Sequence, residues 1–203
     1  MYGKGILKGL SVTWKRFWET YTEDIAWVLR GKKRYYTEEG VKHRASKNTK
    51  GIFTVQYPEE KLILPEEARY IPFLVYNELP DGKEEVLCTS CGICAKVCPP
   101  QCIWIVRSND PTTGKPIPEP TEFYIDADIC MNCGFCAEYC PFDAIKMDHD
   151  YELADYERHA GHVYDVKKLL KSTTYYSKIH PQDWAREEAD RKAKEAAKAK
   201  KPA

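Results

Sequence analysis

The sequence predicts an α+β protein whose centre repeats one short unit, a cysteine-rich loop between two strand-like segments. Three observations support this fold class. Eight of the nine cysteines fall into two runs of one spacing, C-x2-C-x2-C-x3-C-P. Short apolar segments flank each run. Residues 1–30 carry apolar side chains at helical intervals. The centre of the chain is therefore expected to fold around its cysteines, between an N-terminal helix and an extended C-terminal segment.

The two cysteine runs have the spacing by which bacterial-type ferredoxins hold [4Fe–4S] clusters. A glycine follows the second cysteine and a proline follows the fourth in both runs. In two-cluster ferredoxins the fourth cysteine of one run ligates the cluster of the other run. We therefore predict two clusters, crossed ligand sets and an electron-transfer function. The first set is Cys88, Cys91, Cys94 and Cys140, and the second is Cys130, Cys133, Cys136 and Cys98.

Two other uses of so many cysteines are disfavoured. Structural zinc sites are usually built from two separated C-x2-C pairs that close on one ion, whereas each run here has four cysteines and a trailing proline. A disulfide framework is disfavoured because the cysteine count of 9 is odd. Free cysteines at this density indicate a reducing compartment.

The runs belong to a longer internal repeat. Shifting the sequence by the interval from Cys88 to Cys130 superposes each run and the segments around it. The strand-like segments are Glu85–Leu87, Ile103–Val106, Phe123–Ile125 and Ala144–Met147. The repeated unit consists of a strand, a cysteine loop, a helical turn and a second strand. Its two copies predict a pseudo-two-fold core over residues 84–148. Residues 107–122, which are rich in proline, are expected to form an exposed loop between the halves.

The remaining candidate ligands are assigned no chemistry. Cys102 occupies a small-residue position of the repeat and is interpreted as a buried thiol beside a cluster, ahead of a redox or regulatory role. The histidines near the second run are interpreted as ordinary surface or interface residues: His149, His159 and His162. No catalytic acid, base or nucleophile is predicted.

Opposite charges are segregated along the chain although the formal net charge is zero. Residues 1–50 carry a net charge of +7, residues 51–150 a net charge of −10, and residues 151–203 a net charge of +3. An acidic cluster region argues against nucleic acid as a partner, because proteins that bind nucleic acid present a basic face.

The N-terminal segment predicts an amphipathic helix that contacts a membrane surface or a membrane-bound partner. Its apolar stripe consists of Leu7, Leu10, Trp14, Phe17, Tyr21, Ile25 and Val28. Basic residues lie among and opposite this stripe, and the basic run 30–34 follows it. No stretch reaches the ~18 apolar residues of a membrane span. The alternative is that the stripe packs on the protein's own core.

In the order of its motifs along the sequence, the chain resembles the two-cluster, ferredoxin-like subunit of NADH:quinone oxidoreductase, respiratory complex I, often called the 23 kDa subunit. The features are the amphipathic N-terminus, Val55–Lys61, Pro80–Gly82, Cys98–Ile103, Phe123–Asp126 and Tyr151–Tyr156, together with both cysteine runs. The resemblance covers roughly residues 1–165. The segment 67–72 departs from the family's usual basic stretch, so contacts made by that stretch do not carry over.

The resemblance implies a position in an electron-transfer chain on the cytoplasmic face of a bacterial inner membrane. Electrons would arrive from an upstream cluster-bearing subunit and leave to the terminal cluster that reduces quinone. The first ligand set would be upstream and the second downstream. The family implies peripheral-arm subunits and the membrane arm as partners, with no small-molecule substrate bound directly.

Four segments are expected on this basis. They are a membrane- or partner-contacting helix (1–30), an extended partner-wrapping segment (31–83), the two-cluster domain (84–148) and a C-terminal extension with a Lys/Ala/Glu-rich tail (149–203). Two other functions stay open. One is the equivalent subunit of a related membrane-bound hydrogenase, formate hydrogenlyase or photosynthetic complex I relative, and the other is a soluble ferredoxin.

Overall fold

The computed structural model describes residues 3–79, 81–110 and 112–199, so the predictions that involve Pro80, Pro111 and the chain ends lie outside the described residues. The backbone divides into two compact units, Met1–Leu64 and Pro65–Ala203. The division falls inside the segment 31–83, which the sequence analysis treated as one extended piece. Its second part belongs to the same unit as the cysteine loops.

The first unit is built from two helices, α1 (Lys4–Leu29) and α2 (Glu38–Ala45). The helix predicted over residues 1–30 is thus continuous over almost its whole length. None of its residues is buried. Its apolar stripe, including Trp14 at 63% and Phe17 at 50% exposure, faces away from the rest of the unit. Among the described residues, no helix combines the length and apolarity needed to cross a membrane.

The interior of the first unit consists mainly of charged side chains and contains few apolar ones. Arg44 and Glu60 are almost fully buried and form a two-pronged ion pair, in which Arg44 Nη1 lies 2.8 Å from Glu60 Oε2. Glu60 also accepts a 3.0 Å hydrogen bond from the backbone N–H of Gln56. The hydrogen bond from Arg44 is the main cause that lowers the pKa of Glu60 to about 2. Buried Arg34 pairs with Asp24 of α1 at 2.8 Å.

The second unit contains two small sheets and short helices. Its strands are β1 (Pro72–Glu78), β2 (Glu84–Val86), β3 (Ile103–Asn109), β4 (Pro116–Asp126), β5 (Ile145–Met147), β6 (Val163–Tyr164) and β7 (Leu170–Ser172). Its helices are α3 (Ile93–Val97), α4 (Phe135–Glu138), α5 (Arg158–His162), α6 (Val166–Leu169), α7 (Thr173–Ile179) and α8 (Pro181–Ala199). This content is the mixed helix-and-sheet composition that the sequence predicts.

Strand β1 pairs with every other strand of its sheet. It runs antiparallel to β2 and β5 and parallel to β7, with Leu74 opposite both Ile145 and Leu170. Part of the segment 31–83 is therefore paired within this chain, and contact of the segment with a partner stays a prediction. The β1 residues Phe73, Leu74 and Val75 are buried. A run buried on both faces lacks the period-two alternation by which half-exposed strands are recognised.

The second sheet has the order β3-β4-β6. The loop predicted over residues 107–122 is shorter than expected, since β3 continues to Asn109 and β4 already begins at Pro116. Prolines recur along the start of β4, where the register with β3 is irregular, and proline is tolerated in strands at such irregularities. Proline content predicted a loop here because composition does not reveal this kind of pairing.

The C-terminal segment packs on the core of the second unit. Strand β7 extends the first sheet, β6 extends the second, and the α6 residue Leu169 is buried. Tyr176 of α7 packs against Phe73, and Trp184 at the start of α8 packs against Tyr176 at 5.9 Å between ring centroids. Helix α8, which contains most of the Lys/Ala/Glu-rich tail, is thus tied to the core at its first turns.

Candidate metal centres

A cavity lined by four cysteines lies between the first cysteine loop and the first sheet. The four are Cys88, Cys91, Cys94 and Cys140. The other lining residues are mainly apolar, among them Leu74, Ile105, Phe123 and Ile145. The cysteine from the second run, Cys140, is carried here by the turn that follows α4. The site therefore offers four sulfur atoms in a dry setting.

A second cavity is lined by the complementary set of cysteines. These are Cys98, Cys130, Cys133 and Cys136, with Cys102 also in the wall. Pro72, Ile103 and Met147 supply apolar surface. Each fourth cysteine thus lies with the first three cysteines of the other run. The eight residues singled out by spacing thus line the two cavities in the same two groups as the predicted ligand sets, and their ligation of clusters stays a prediction.

The two loops have matching backbones. Gly92 and Gly134, with φ of 76° and 80°, occupy the left-handed region and begin α3 and α4. Two further pairs of residues also adopt positive φ at equivalent positions of the two loops. These pairs are Ser90 with Asn132 and Gln101 with Asp143. Left-handed turns let the chain curl closely around a point, which places cysteines three residues apart on the same side.

Backbone amides point at the two crossing sulfur atoms. The N–H of Cys102 lies 3.4 Å from Cys98 Sγ, and the N–H of Ala144 lies 3.4 Å from Cys140 Sγ. Donors of this kind stabilise negative charge on a thiolate and on a cluster bound to it.

Burial controls the protonation of the thiols. It raises the pKa of Cys94 to about 12 and that of Cys136 to about 12, and neighbouring cysteines in the same cavity add to the effect. Burial also raises the pKa of Cys88. These groups are therefore neutral thiols on their own at neutral pH. A metal centre that binds them has to displace the protons, and its positive charge favours the thiolates.

Cys102 lies against the second ligand set. Its side chain is almost fully buried, and its Sγ is 3.4 Å from Cys98 Sγ. A hydrogen bond from Cys102 lowers the pKa of Cys130 to about 6, and the same contact raises the pKa of Cys102. The thiol is thus placed as a donor toward ligand sulfurs. The location agrees with the interpretation of Cys102 as a buried thiol beside a cluster.

An arginine holds each cysteine loop by its carbonyl oxygens. Arg107 donates from Nε to the Ser90 oxygen at 2.8 Å and from Nη2 to the Cys91 oxygen at 3.3 Å. Arg69 donates from Nη1 to the Cys133 oxygen at 2.9 Å. Sequence reasoning missed both residues, because nothing in their spacing relates them to the cysteines. Arg69 lies in the segment 67–72 that departs from the family pattern.

The histidines near the second run do not line either cavity. His149 Nε2 is 3.2 Å from the Glu66 carbonyl oxygen, and His162 Nδ1 is 2.5 Å from Asp128 Oδ1. His159 is exposed in α5. These contacts connect loops of the second unit and bring no ring nitrogen to the cysteines.

The residues present fit [4Fe–4S] clusters. Each cavity is lined by four cysteines of the two runs, and no histidine or carboxylate is among its lining residues. All-thiolate coordination in an apolar pocket, with amides directed at sulfur, is the chemistry that such clusters require.

Comparison with known proteins agrees with this chemistry. The 4Fe-4S dicluster domain family matches residues 87–144. NADH-quinone oxidoreductase subunit I 2 of Cereibacter sphaeroides is 50% identical over 105 residues, which are 52% of this chain and 60% of that protein. NADH-quinone oxidoreductase subunit I 1 of Nitrosococcus oceani is 41% identical over 121 residues, 60% of this chain and 63% of that protein. Subunit I of Methylococcus capsulatus is 44% identical over 117 residues, 58% of this chain and 64% of that protein.

The chain spans less than two thirds of the length of these curated relatives. Within that span, the matches confirm the resemblance that the order of motifs indicates.

Proposed function

From this relationship to NADH-quinone oxidoreductase subunit I proteins, we propose that the chain transfers electrons through two [4Fe–4S] clusters as a subunit of such an oxidoreductase. The observation that carries the proposal is the division of eight cysteines between two apolar cavities, four to each. The oxidoreductase assembly is proposed from the names of the relatives.

The assignment of ligands follows the cavities. Cys88, Cys91, Cys94 and Cys140 would hold the first cluster, and Cys130, Cys133, Cys136 and Cys98 would hold the second. The matching left-handed positions of the two loops support a pseudo-two-fold arrangement of the core. Crossed ligands mean that neither loop can be displaced without disturbing both centres.

The chain's own residues bind the centres, exclude water and set their charge environment. A bound [4Fe–4S] cluster supplies a one-electron carrier. Apolar side chains such as Leu74 and Phe123 keep solvent from the first ligand set, and Ile103 and Met147 do so at the second. The backbone N–H groups of Cys102 and Ala144, which are directed at the sulfur atoms of Cys98 and Cys140, favour the more negative, reduced form. No acid–base step is needed for this function.

The exposed stripe of α1 supports attachment to a membrane surface. Trp14 stacks on Phe17, Trp18 contacts both rings edge-to-face, and all three side chains are at least half exposed. Tryptophan and lysine on an amphipathic helix suit the interface of lipid and water. We place the chain at the cytoplasmic face of a bacterial inner membrane, between an upstream cluster-bearing subunit and the subunit with the terminal cluster. The first ligand set would face upstream.

Iron and sulfide analysis of the anaerobically purified full chain tests the cluster assignment. Two [4Fe–4S] centres require about eight iron atoms and eight sulfides per chain. In the Cys98→Ser variant we expect about half of the iron and loss of the paramagnetic signal from the second cluster. Loss of the first-cluster signal, whose ligands adjoin Cys98 in sequence, would refute crossed ligation.

Native isolation tests the assembly. The chain, extracted with mild detergent, should bring with it a flavin-bearing NADH module and membrane subunits, identified by mass spectrometry. Hydrogenase or formate-oxidising subunits would instead assign it to a related assembly. Recovery of the chain alone in the soluble fraction would contradict both the assembly and the role of α1. Replacement of Trp14, Phe17 and Trp18 by serine should release the protein from membranes with both clusters intact.

A further inference from the structure

A pocket outside the cysteine cavities lies at the start of α8. Glu66, His180 and Asp183 line it, and one ligand atom from each lies within 4.8 Å of the other two. Glu66 is in the segment before β1, whereas His180 and Asp183 flank the beginning of α8. The three therefore connect two parts of the second unit that are far apart in sequence.

His180 is prepared as a ligand by its own hydrogen bond. The residue is only 6% exposed. Its Nε2 lies 2.9 Å from the carbonyl oxygen of Met147, an acceptor, so Nε2 carries the proton. The neutral ring then has its lone pair on Nδ1. In protein metal sites, a ligating histidine commonly donates its other ring N–H to a backbone carbonyl in this way.

The Nδ1 atom is buried and has no hydrogen-bond partner among the described residues. The nearest acidic atom, Asp183 Oδ2, is 3.7 Å away, which is beyond hydrogen-bond distance. A buried nitrogen left without a partner costs free energy, so such an atom usually marks a missing water or ion. Here it is directed toward carboxylates.

The two carboxylates are positioned by contacts with backbone and side-chain donors. Glu66 Oε1 accepts hydrogen bonds from the backbone N–H groups of Gln182 at 2.6 Å and Asp183 at 3.0 Å. Asp183 Oδ1 pairs with the exposed Arg186, while Oδ2 faces His180. One imidazole nitrogen and two carboxylates form a mixed nitrogen–oxygen donor set of the kind that zinc accepts.

We propose that His180 Nδ1, Asp183 and Glu66 bind one divalent ion of the zinc class. Zinc–ligand bonds of about 2.0–2.2 Å require the three atoms to move slightly closer together, which the partly exposed carboxylates can do. Water would complete the coordination. The ion would fasten the segment before β1 to α8. It is independent of the cysteine centres, whose ligands are all sulfur.

Calorimetric titration of zinc chloride into the cluster-loaded full chain tests the site. Iron content is measured before and after the titration, so that zinc bound to released cysteines is recognised. We expect one zinc per chain with the iron unchanged. Asp183→Asn and Glu66→Gln should each weaken zinc affinity by about 10- to 100-fold, the usual cost of impairing a metal site. Asp190→Asn is the matched control, since Asp190 lines the same pocket outside the triad.

Equal zinc affinity in the wild-type chain and in both triad variants would overturn the proposal. So would the absence of zinc binding to the intact chain, which would leave His180 and Asp183 as a pair without an ion. As a second readout, zinc should slow amide exchange at the start of α8 in the wild type and in Asp190→Asn, but not in Asp183→Asn.

Discussion

The two cysteine loops share a backbone but differ in what surrounds them. Around the first loop, Arg107 presents its charge to carbonyl oxygens, and among the described residues no carboxylate pairs with it. Around the second, Arg69 pairs with Glu138 at 2.7 Å. The second loop also has Cys102 where the first ligand set has Ala144. The two halves of the repeat therefore share the backbone conformation that positions the cysteines, whereas the charged and hydrogen-bonding side chains around the loops differ.

Because of this difference, one sequence motif can give two metal centres with different reduction potentials. Identical ligands in similar apolar cavities would give similar reduction potentials. Charge and hydrogen bonding around the ligands are the remaining means of separating them. An unpaired cation near the first loop stabilises the reduced, more negative form there, whereas Glu138 cancels much of the charge of Arg69.

The largest expected effect comes from breaking the crossing in the other direction. Cys140→Ser should remove the first cluster and leave the second, the mirror image of Cys98→Ser. The reason is that Cys140 lines the cavity of Cys88, Cys91 and Cys94. Paramagnetic resonance of the reduced protein distinguishes the two signals. If both variants lose the same cluster, the two loops do not exchange ligands.

The second prediction separates the loops by their glycines. Alanine at either Gly92 or Gly134 should destabilise its loop by about 1–2 kcal/mol, because both have positive φ. Gly134→Ala should cost more, since its Cβ would lie 2.7 Å from Arg69 Nη1, whereas the space beside Gly92 is open. Anaerobic denaturant unfolding of the cluster-loaded chain measures the difference.

Removing the arginine provides the control for that prediction. In an Arg69→Ala background, the extra cost of Gly134→Ala over Gly92→Ala should disappear. A difference that persists there would mean that something other than Arg69 sets the cost at Gly134.

A smaller effect is expected on the reduction potentials. Arg107→Gln should lower the potential of the first cluster by tens of millivolts, because an exposed charge contributes less than about 1 kcal/mol and 100 mV corresponds to about 2.3 kcal/mol per electron. Arg69→Gln should shift the second cluster less, since Glu138 already offsets that charge. Redox titration followed by paramagnetic resonance measures both. Equal shifts of the two potentials would show that the ion pair with Glu138 does not reduce the effect of Arg69.

The smallest effect is expected at the ninth cysteine. Cys102→Ala should keep the full iron content and slightly lower the potential of the second cluster only, because a thiol is a weak donor. Ala144→Cys adds a thiol at the equivalent position and is the matched variant for the first cluster. Loss of iron in Cys102→Ala would instead identify Cys102 as a ligand.

The sequence predicts the site much better than it predicts the fold around it. Eight cysteine positions follow from spacing alone, because ligand geometry at a cluster dictates sequence intervals. The helix of residues 4–29 follows equally well from its period. Strand β1 and the parallel pairing of β7 do not, since β1 is buried without an alternating pattern, β7 has only 3 residues, and strand partners are chosen by tertiary contacts.

Contacts from distant segments were likewise invisible in the sequence. Arg69, Arg107 and His180 have functional positions because the fold brings carbonyl oxygens to them. No local pattern marks such residues. The left-handed conformations of Ser90 and Asn132 were also missed, because residues other than glycine rarely adopt a positive φ.

The buried pair of Arg44 and Glu60 limits how the first unit can change over generations. Removing one partner leaves the other charge buried and uncompensated, at a cost of about 3–5 kcal/mol. Replacing both with apolar residues of similar volume can be neutral or even favourable. A lineage that loses the pair is thus expected to exchange both residues together, through a rarely tolerated intermediate, so positions 44 and 60 should covary.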